Sequence, residues 1–161
     1  MRTVIPVLLV LAPLAGMHGQ PRPNFSGTWL VVPSRSIWYD NNGRPVNITV
    51  FGERFSVEQT ELTMTVAIDN ERGFKWIYRL DGTPSRNTPP GPDGPQDTSS
   101  ATAWTDATLT ITTVVMVSRD GRPERAETRR TLRFNDDGTL RVEAPWGASG
   151  AMIGSVYAKA P

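Results

Sequence analysis

The chain has 161 residues, with 17 Lys and Arg, 16 Asp and Glu, one His and no Cys, which is the size of one ordinary domain. The lack of Cys excludes a disulfide framework, a thiolate zinc site and a thiol nucleophile. Because the single His is His18, beside a predicted cleavage site, we also expect no histidine triad, histidine zinc site or histidine acid–base chemistry in the mature chain.

The first 19 residues have the pattern of a secretory signal peptide. Arg2 gives a charged start, an apolar run covers 4–15, and small residues such as Gly19 follow. The apolar run is too short to span a membrane as a helix. We therefore predict an exported bacterial protein, periplasmic or extracellular, with its signal peptide at 1–19, one mature domain at 20–161 and no transmembrane segment in the mature chain.

The mature chain is close to electrically neutral. Cleavage after Gly19 leaves 142 of the 161 residues with 16 basic and 16 acidic side chains, because Arg2 is the only charged residue removed. The segment 119–141 holds seven Arg but also five acidic residues, which favours a mixed-charge sheet face over a nucleic-acid stripe. Since no glycine-rich phosphate loop and no converging set of metal ligands is present, we expect no nucleic-acid partner, no cofactor and no metal. The sequence identifies no protein partner.

From Thr28 onward the chain has the alternation and turn spacing of short β-strands. The clearest case is 62–68, where apolar residues at 62, 64, 66 and 68 alternate with Thr and Ala. The predicted strands are 28–32, 46–51, 54–59, 62–68, 74–80, 99–104, 109–117, 126–134, 140–144 and 152–159.

Most of these strands are joined by tight turns such as Asp81-Gly82 and Asp120-Gly121, so sequence neighbours are expected to be antiparallel sheet neighbours. An up-and-down meander of this length has two exposed edges unless it closes. We therefore predict an all-β fold, an antiparallel up-and-down β-barrel of 8–10 strands. The alternative is a two-sheet sandwich, whose Greek-key crossings need longer connections than most of those here.

One connection, 83–97, is long and contains five Pro and two Gly. Because proline lacks the N–H that a strand ladder needs, we predict a loop without ladder pairing at one end of the barrel. Two interpretations stay open for it, a lid over a cavity mouth and a solvated connection.

Several short phrases, taken in order, resemble a group of small exported bacterial proteins, mostly uncharacterised, that are described as lipocalin-like. Residues 25–29, Phe-Ser-Gly-Thr-Trp, resemble the G-x-W signature of lipocalin and calycin barrels. The later phrases are YRLDG at 78–82, AW at 103–104, DGTLRVE at 137–143 and VYAK at 156–159. The resemblance implies a barrel in which Gly27 lets the chain bend and Trp29 plugs the closed end. In lipocalins an Arg of the last strand packs on this Trp, and Lys159 stands at that place here.

Three aromatic residues, Phe74, Trp76 and Tyr78, share one face of the predicted strand 74–80. In a hollow barrel they form an aromatic wall that contacts a ligand, whereas in a filled barrel they are ordinary core. Trp29 likewise has two interpretations, a ligand contact and a core plug, of which we favour the plug.

Arg130 is the sharpest single candidate for ligand binding. On the strand 126–134 it shares a face with Leu132 and Phe134, whereas Arg129 and Arg133 occupy the other face. A guanidinium among apolar groups needs an anion, because an unpaired buried charge costs several kcal/mol. That anion is either a ligand group or an internal Asp or Glu, and a bulge that reversed the facing would instead place Arg130 in solvent.

Together these features predict a secreted, non-enzymatic barrel that binds a small apolar or amphipathic molecule in its interior, through the aromatic face of 74–80 and Arg130. The alternative is a solid-core envelope module, with an interaction or structural role and no ligand. A hydrolase is a third hypothesis, which rests on carboxylate pairs such as Glu58 and Glu61.

Overall fold

The computed structural model describes residues 21–39, 42, 44–47, 49–69, 73–91, 94–146 and 151–161. The predicted signal peptide, its cleavage site and His18 lie outside these residues. β-Strands are the main secondary structure of the described part, and no helix in it is long and apolar enough to cross a membrane.

The described residues form fourteen strands and one short 3-10 helix at Pro33–Arg35. The strands are β1 Gly27–Val31, β2 Ile37–Tyr39, β3 Pro45–Asn47, β4 Arg54–Gln59, β5 Thr63–Ile68, β6 Lys75–Arg79, β7 Ser85–Asn87, β8 Pro90–Gly91, β9 Gly94–Pro95, β10 Thr98–Thr105, β11 Thr108–Arg119, β12 Arg122–Phe134, β13 Leu140–Trp146 and β14 Ala151–Lys159. Every predicted strand overlaps one of these, although the predicted strand 46–51 overlaps β3 only at its first two residues.

Ten of the strands form one antiparallel sheet in the order β6-β5-β4-β1-β14-β13-β12-β11-β10-β7. Strands of this sheet that follow each other in sequence pair with each other, except β6 and β7, which are its two ends, and β1 pairs with both β4 and β14. Trp29 is opposite Phe55 on one side and opposite Lys159 on the other. The predicted all-β fold is confirmed: the sheet is a nearly closed, up-and-down antiparallel barrel.

The barrel closes between β6 and β7 through side chains in place of a backbone ladder. Asn87 accepts a hydrogen bond from the Ile77 N–H at 2.8 Å and donates to the Ile77 carbonyl at 3.0 Å. The Ser85 hydroxyl accepts from the Arg79 N–H at 2.7 Å, and the Thr102 hydroxyl donates to the Arg79 carbonyl at 2.6 Å. The backbone N–H and carbonyl groups of Ile77 and Arg79 on the outer edge of β6 are therefore satisfied, as buried backbone groups require.

The prediction that 83–97 lacks ladder pairing is wrong. This segment contains β7, which pairs with β10 in the main sheet, and the small hairpin formed by β8 and β9. The physical reason is local: Ser85–Asn87 has no proline, so its backbone keeps the donors that a ladder needs although prolines flank it.

The predicted strand 46–51 also needs correction, because the chain leaves β3 and turns into the barrel. Gly52, with φ +73°, takes a backbone conformation that suits glycine, and Phe51 beside it is only 1% exposed. Phe51 therefore belongs to the core rather than to a ladder.

The buried apolar residues, apart from Ile153 and Val156, form one cluster inside the barrel. We call the end where the chain enters β1 and where β10 and β12 finish the lower end. The upper end is the opposite one, where β6 begins. There the segment 49–52, which we call the crossing segment, lies against the inward hydroxyls of β14. These two ends differ in chemistry, and this difference locates the candidate site.

Candidate functional site

The lower end is filled by aromatic rings. Trp29 is 1% exposed, and its indole N–H donates to the Phe25 carbonyl at 2.9 Å. The ring of Phe134 lies 5.2 Å from that of Phe25 and 5.9 Å from that of Trp29, between centroids, and Trp104 stacks on Phe25 at 6.0 Å. The Trp29 N–H is thus paired with a backbone acceptor while its ring packs, so Trp29 lies in the core at the closed end of the barrel. The buried N–H of Trp104 has no hydrogen-bond partner among the described residues.

Lys159, directly opposite Trp29 on β14, lies over its ring at the lower end. Its ammonium nitrogen is 6.0 Å from the centre of the indole ring, at the limit of a cation–π contact. The lysine stem passes so close to Gly27 that a Cβ there would lie 2.6 Å from Lys159 Cε, and Gly27 has φ +143°. This contact explains the glycine at position 27, because the Lys159 side chain occupies the space that a Cβ there would need.

Trp76 and Tyr78 on β6, and Phe74 just before it, face inward, as their alternation predicts. Tyr78 is fully buried, Phe74 and Trp76 are half-buried, and Lys75 and Ile77 on the other face are exposed. The ring of Trp76 lies 5.3 Å from that of Phe74 and 6.2 Å from that of Tyr78. The burial increases from Phe74 to Tyr78, so this row of rings leads from the upper end into the core.

Arg130 also faces inward, since it is half-buried between the exposed Arg129 and the core residue Leu132 on β12. Its guanidinium carbon lies 5.5 Å from the centre of the Phe51 ring. Within the described residues Arg130 has no ion pair with a carboxylate and its side chain donates no hydrogen bond. The structure thus brings Arg130 to the interior against an aromatic face, with donors left for another group.

Sequence reasoning missed Phe51 as part of this site. The Phe51 N–H donates to the Tyr157 hydroxyl at 3.0 Å, and this hydroxyl donates to the Gly52 carbonyl at 3.2 Å. The Val50 N–H donates to the Ser155 hydroxyl at 3.1 Å. The inward hydroxyls of Ser155 and Tyr157 on β14 therefore hold the crossing segment in place. In the sequence, only Gly52 indicates that the chain turns here.

Sequence reasoning also missed a row of inward hydroxyls on β10 and β11. Thr98, Ser100, Thr102 and Thr113 are each at most 7% exposed. The sequence predicts β10 as a strand, but both of its faces carry Ser or Thr. The sequence therefore does not indicate which face of the strand points into the barrel. The upper half of the interior therefore has a polar wall on β10–β12, whereas the lower end is apolar.

Tyr157 and Asp81 are titratable groups whose pKa values are shifted by burial and by hydrogen bonding, respectively. Burial raises the pKa of Tyr157, so its phenol stays neutral while it holds the crossing segment. A hydrogen bond from Arg79 holds the pKa of Asp81 well below its usual range, in an exposed turn. Glu58 and Glu61 are exposed, and no three His, Cys, Asp or Glu side chains of the described part are grouped to hold a metal.

Comparison of the chain with models of known protein families, with curated proteins and with solved structures finds no significant match. The barrel agrees with the fold that the lipocalin-like resemblance implies, and membership of that group stays a prediction. The ligand-binding roles of Phe74, Trp76, Tyr78 and Arg130 also stay predictions.

Proposed function

We propose that this protein is an exported, non-enzymatic barrel that binds a small amphipathic molecule in the upper half of its interior. Arg130 is the observation that carries this proposal, because its half-buried guanidinium faces the interior and pairs with no carboxylate of the described residues. Removing a cation partly from water is unfavourable unless an anion or several acceptors meet it. A bound molecule with a hydrogen-bond acceptor supplies the partner that Arg130 lacks among the described residues.

The surroundings of Arg130 suit an amphipathic occupant rather than a fully polar one. The Phe51 ring faces the guanidinium, and the half-buried rings of Phe74 and Trp76 line the same end of the barrel. Pockets for small molecules combine apolar walls with a few placed polar groups, and this end provides both.

Native mass spectrometry of the mature protein from its own cell envelope, followed by solvent extraction, tests the proposal. We expect a stoichiometric small molecule on the wild type and on Arg133→Ala, an exposed outward residue of the same strand, and its loss from Arg130→Ala. The mass of the purified chain also tests export, since removal of 1–19 is expected. An equal amount of bound molecule on both Arg variants would remove Arg130 from the site.

The second candidate is a solid-core envelope module without a ligand. The observation that favours it is Phe51, which is 1% exposed and fills part of the interior with a side chain. If this candidate is right, the protein from the envelope carries no small molecule, and cross-linking in intact cells recovers the same partner repeatedly.

A further inference from the structure

The polar wall contains one hydroxyl hydrogen for which the described residues offer no acceptor. The Ser100 and Thr113 hydroxyls lie 2.8 Å apart, and one of them donates to the other. Two hydroxyls carry two hydrogens, and a mutual bond uses only one of them. Neither hydroxyl makes another hydrogen bond with the described residues, and Ser100 is 1% exposed while Thr113 is 6% exposed.

The other hydroxyls of the wall differ in this respect. Thr98 donates to the Asn87 carbonyl at 2.9 Å, and Thr102 donates to the Arg79 carbonyl at 2.6 Å. Their hydrogens are therefore used in the backbone contacts that hold the sheet and its closure. The spare donor belongs to the Ser100–Thr113 pair.

The strand register relates this pair to Arg130 through Thr113. Thr113 is directly opposite Ser100 on β10 and Thr128 on β12, and Ile111, two residues before Thr113, is opposite Arg130. Arg130 is therefore a diagonal neighbour of Thr113 on the inner face, a relation within reach of a long side chain. Thr128, in the same row as the pair, is exposed, so this row extends from the core to solvent.

We propose that the occupant of the barrel carries an oxyanion, a carboxylate, sulfate or phosphate, held by Arg130 and by the spare hydroxyl of the Ser100–Thr113 pair. An ionised oxyanion accepts hydrogen bonds and donates none, so it matches a guanidinium and a hydroxyl donor at once. A neutral alcohol offers one oxygen and brings a further donor. This inference rests on the proposed function and adds the chemical class and the orientation of its ligand.

Two acid–alcohol pairs test this inference in calorimetry and tryptophan fluorescence: dodecanoate with dodecan-1-ol, and naphthalene-2-carboxylate with naphthalene-2-methanol. We expect at least one acid to bind roughly tenfold or more tightly than its alcohol, the scale of a hydrogen bond to a charged group. Arg130→Met is expected to remove this preference, and the double variant Ser100→Ala, Thr113→Val to reduce it severalfold. In both variants the affinity for the alcohol should stay unchanged.

Thr112→Val, a half-buried residue on the outer face of β11, is the matched control and should keep the preference for the acid. Equal affinity for an acid and its alcohol in the wild type would overturn the oxyanion site while leaving a binding barrel. If no member of either pair binds, both the site and the proposed function fail. Arg130→Lys keeps the charge and is a second variant if Arg130→Met does not fold.

Discussion

Trp29 at the lower end of the barrel and Arg130 at the upper end place a polar group inside the barrel in opposite ways. At the lower end the indole N–H of Trp29 donates to a backbone carbonyl of the same segment, 2.9 Å away, and rings fill the remaining space. At the upper end Arg130 and the Ser100–Thr113 pair keep donors for which the described residues supply no acceptor. A satisfied polar group is typical of a structural core, whereas an unsatisfied one raises the question of a missing partner.

From this contrast we expect residues at the lower end to determine stability and residues at the upper end to determine binding of the proposed ligand. Changes at the lower end should alter the free energy of unfolding, because its rings are tightly packed and the Trp29 N–H is paired. Changes at the upper end should alter binding more than stability, because the Arg130 charge has no ion pair to lose within the described residues. The predictions that follow test this separation from the largest expected effect to the smallest.

Trp29→Ala should destabilise the protein by about 3–5 kcal/mol, because it leaves a large cavity in a fully buried ring cluster. Urea unfolding monitored by circular dichroism measures the change, and Trp29→Phe, which keeps an aromatic ring, should cost clearly less. A loss below about 1 kcal/mol for Trp29→Ala would contradict a packed lower end.

Gly27→Ala should cost about 1–3 kcal/mol, mainly because an L-residue rarely adopts φ +143°. A smaller part comes from Lys159, which must move away from the new Cβ and lose its contact with the Trp29 ring, worth about 0.5–1 kcal/mol. A double-mutant cycle with Lys159→Ala isolates this part from unfolding data. Additive effects would show that the two residues do not interact.

Arg130→Met should change the stability by no more than about 1 kcal/mol, and in either direction, because the variant removes an unpaired charge while keeping most of the apolar length. The same unfolding experiment measures it beside Arg133→Met, an exposed control on the same strand. Destabilisation by more than about 2 kcal/mol would mean that Arg130 is structural, and the contrast between the ends would disappear.

The smallest effect concerns pH. Hydrogen bonds from the Thr139 hydroxyl and N–H, and then from Arg35, lower the pKa of Asp137 to about 2 from its ordinary 3.8. Since the folded pKa is the lower one, this contribution to stability is complete above about pH 4 and is lost as the pH falls through 2. NMR titration should show a larger rise in the pKa of Asp137 in Thr139→Val than in Arg35→Ala, and the reverse order would contradict this ranking.

The sequence predicts the barrel well where one face of a strand is apolar. Met64, Val66 and Ile68 are at most 7% exposed, as their alternation requires. Leu62, which continues that alternation, is 68% exposed because the strand begins one residue later, at Thr63. The period of two therefore predicts the facing inside a strand, while the turn decides where the strand starts.

The candidate site is predicted only in part, for a related physical reason. The inward facing of Arg130 follows from Leu132 and Phe134 on its own strand, so local pattern is enough. Phe51 depends on contacts of the segment 49–52 with the distant strand β14, and the Ser100–Thr113 pair depends on the exact register of the β10–β11 hairpin. A single sequence does not contain these pairings.

The pairing of Trp29 with Lys159 has a consequence for the order in which the chain folds. The strands from β10 to β14 can pair with neighbours a few residues away, but β1 must find its partner across nearly the whole chain. Contacts between distant residues slow folding, so we expect closure of β1 on β14 to be rate-limiting, on a scale of roughly milliseconds to seconds. Stopped-flow refolding of Lys159→Pro, which weakens that pairing late in β14, should slow this phase; an unchanged rate would assign the slow step elsewhere.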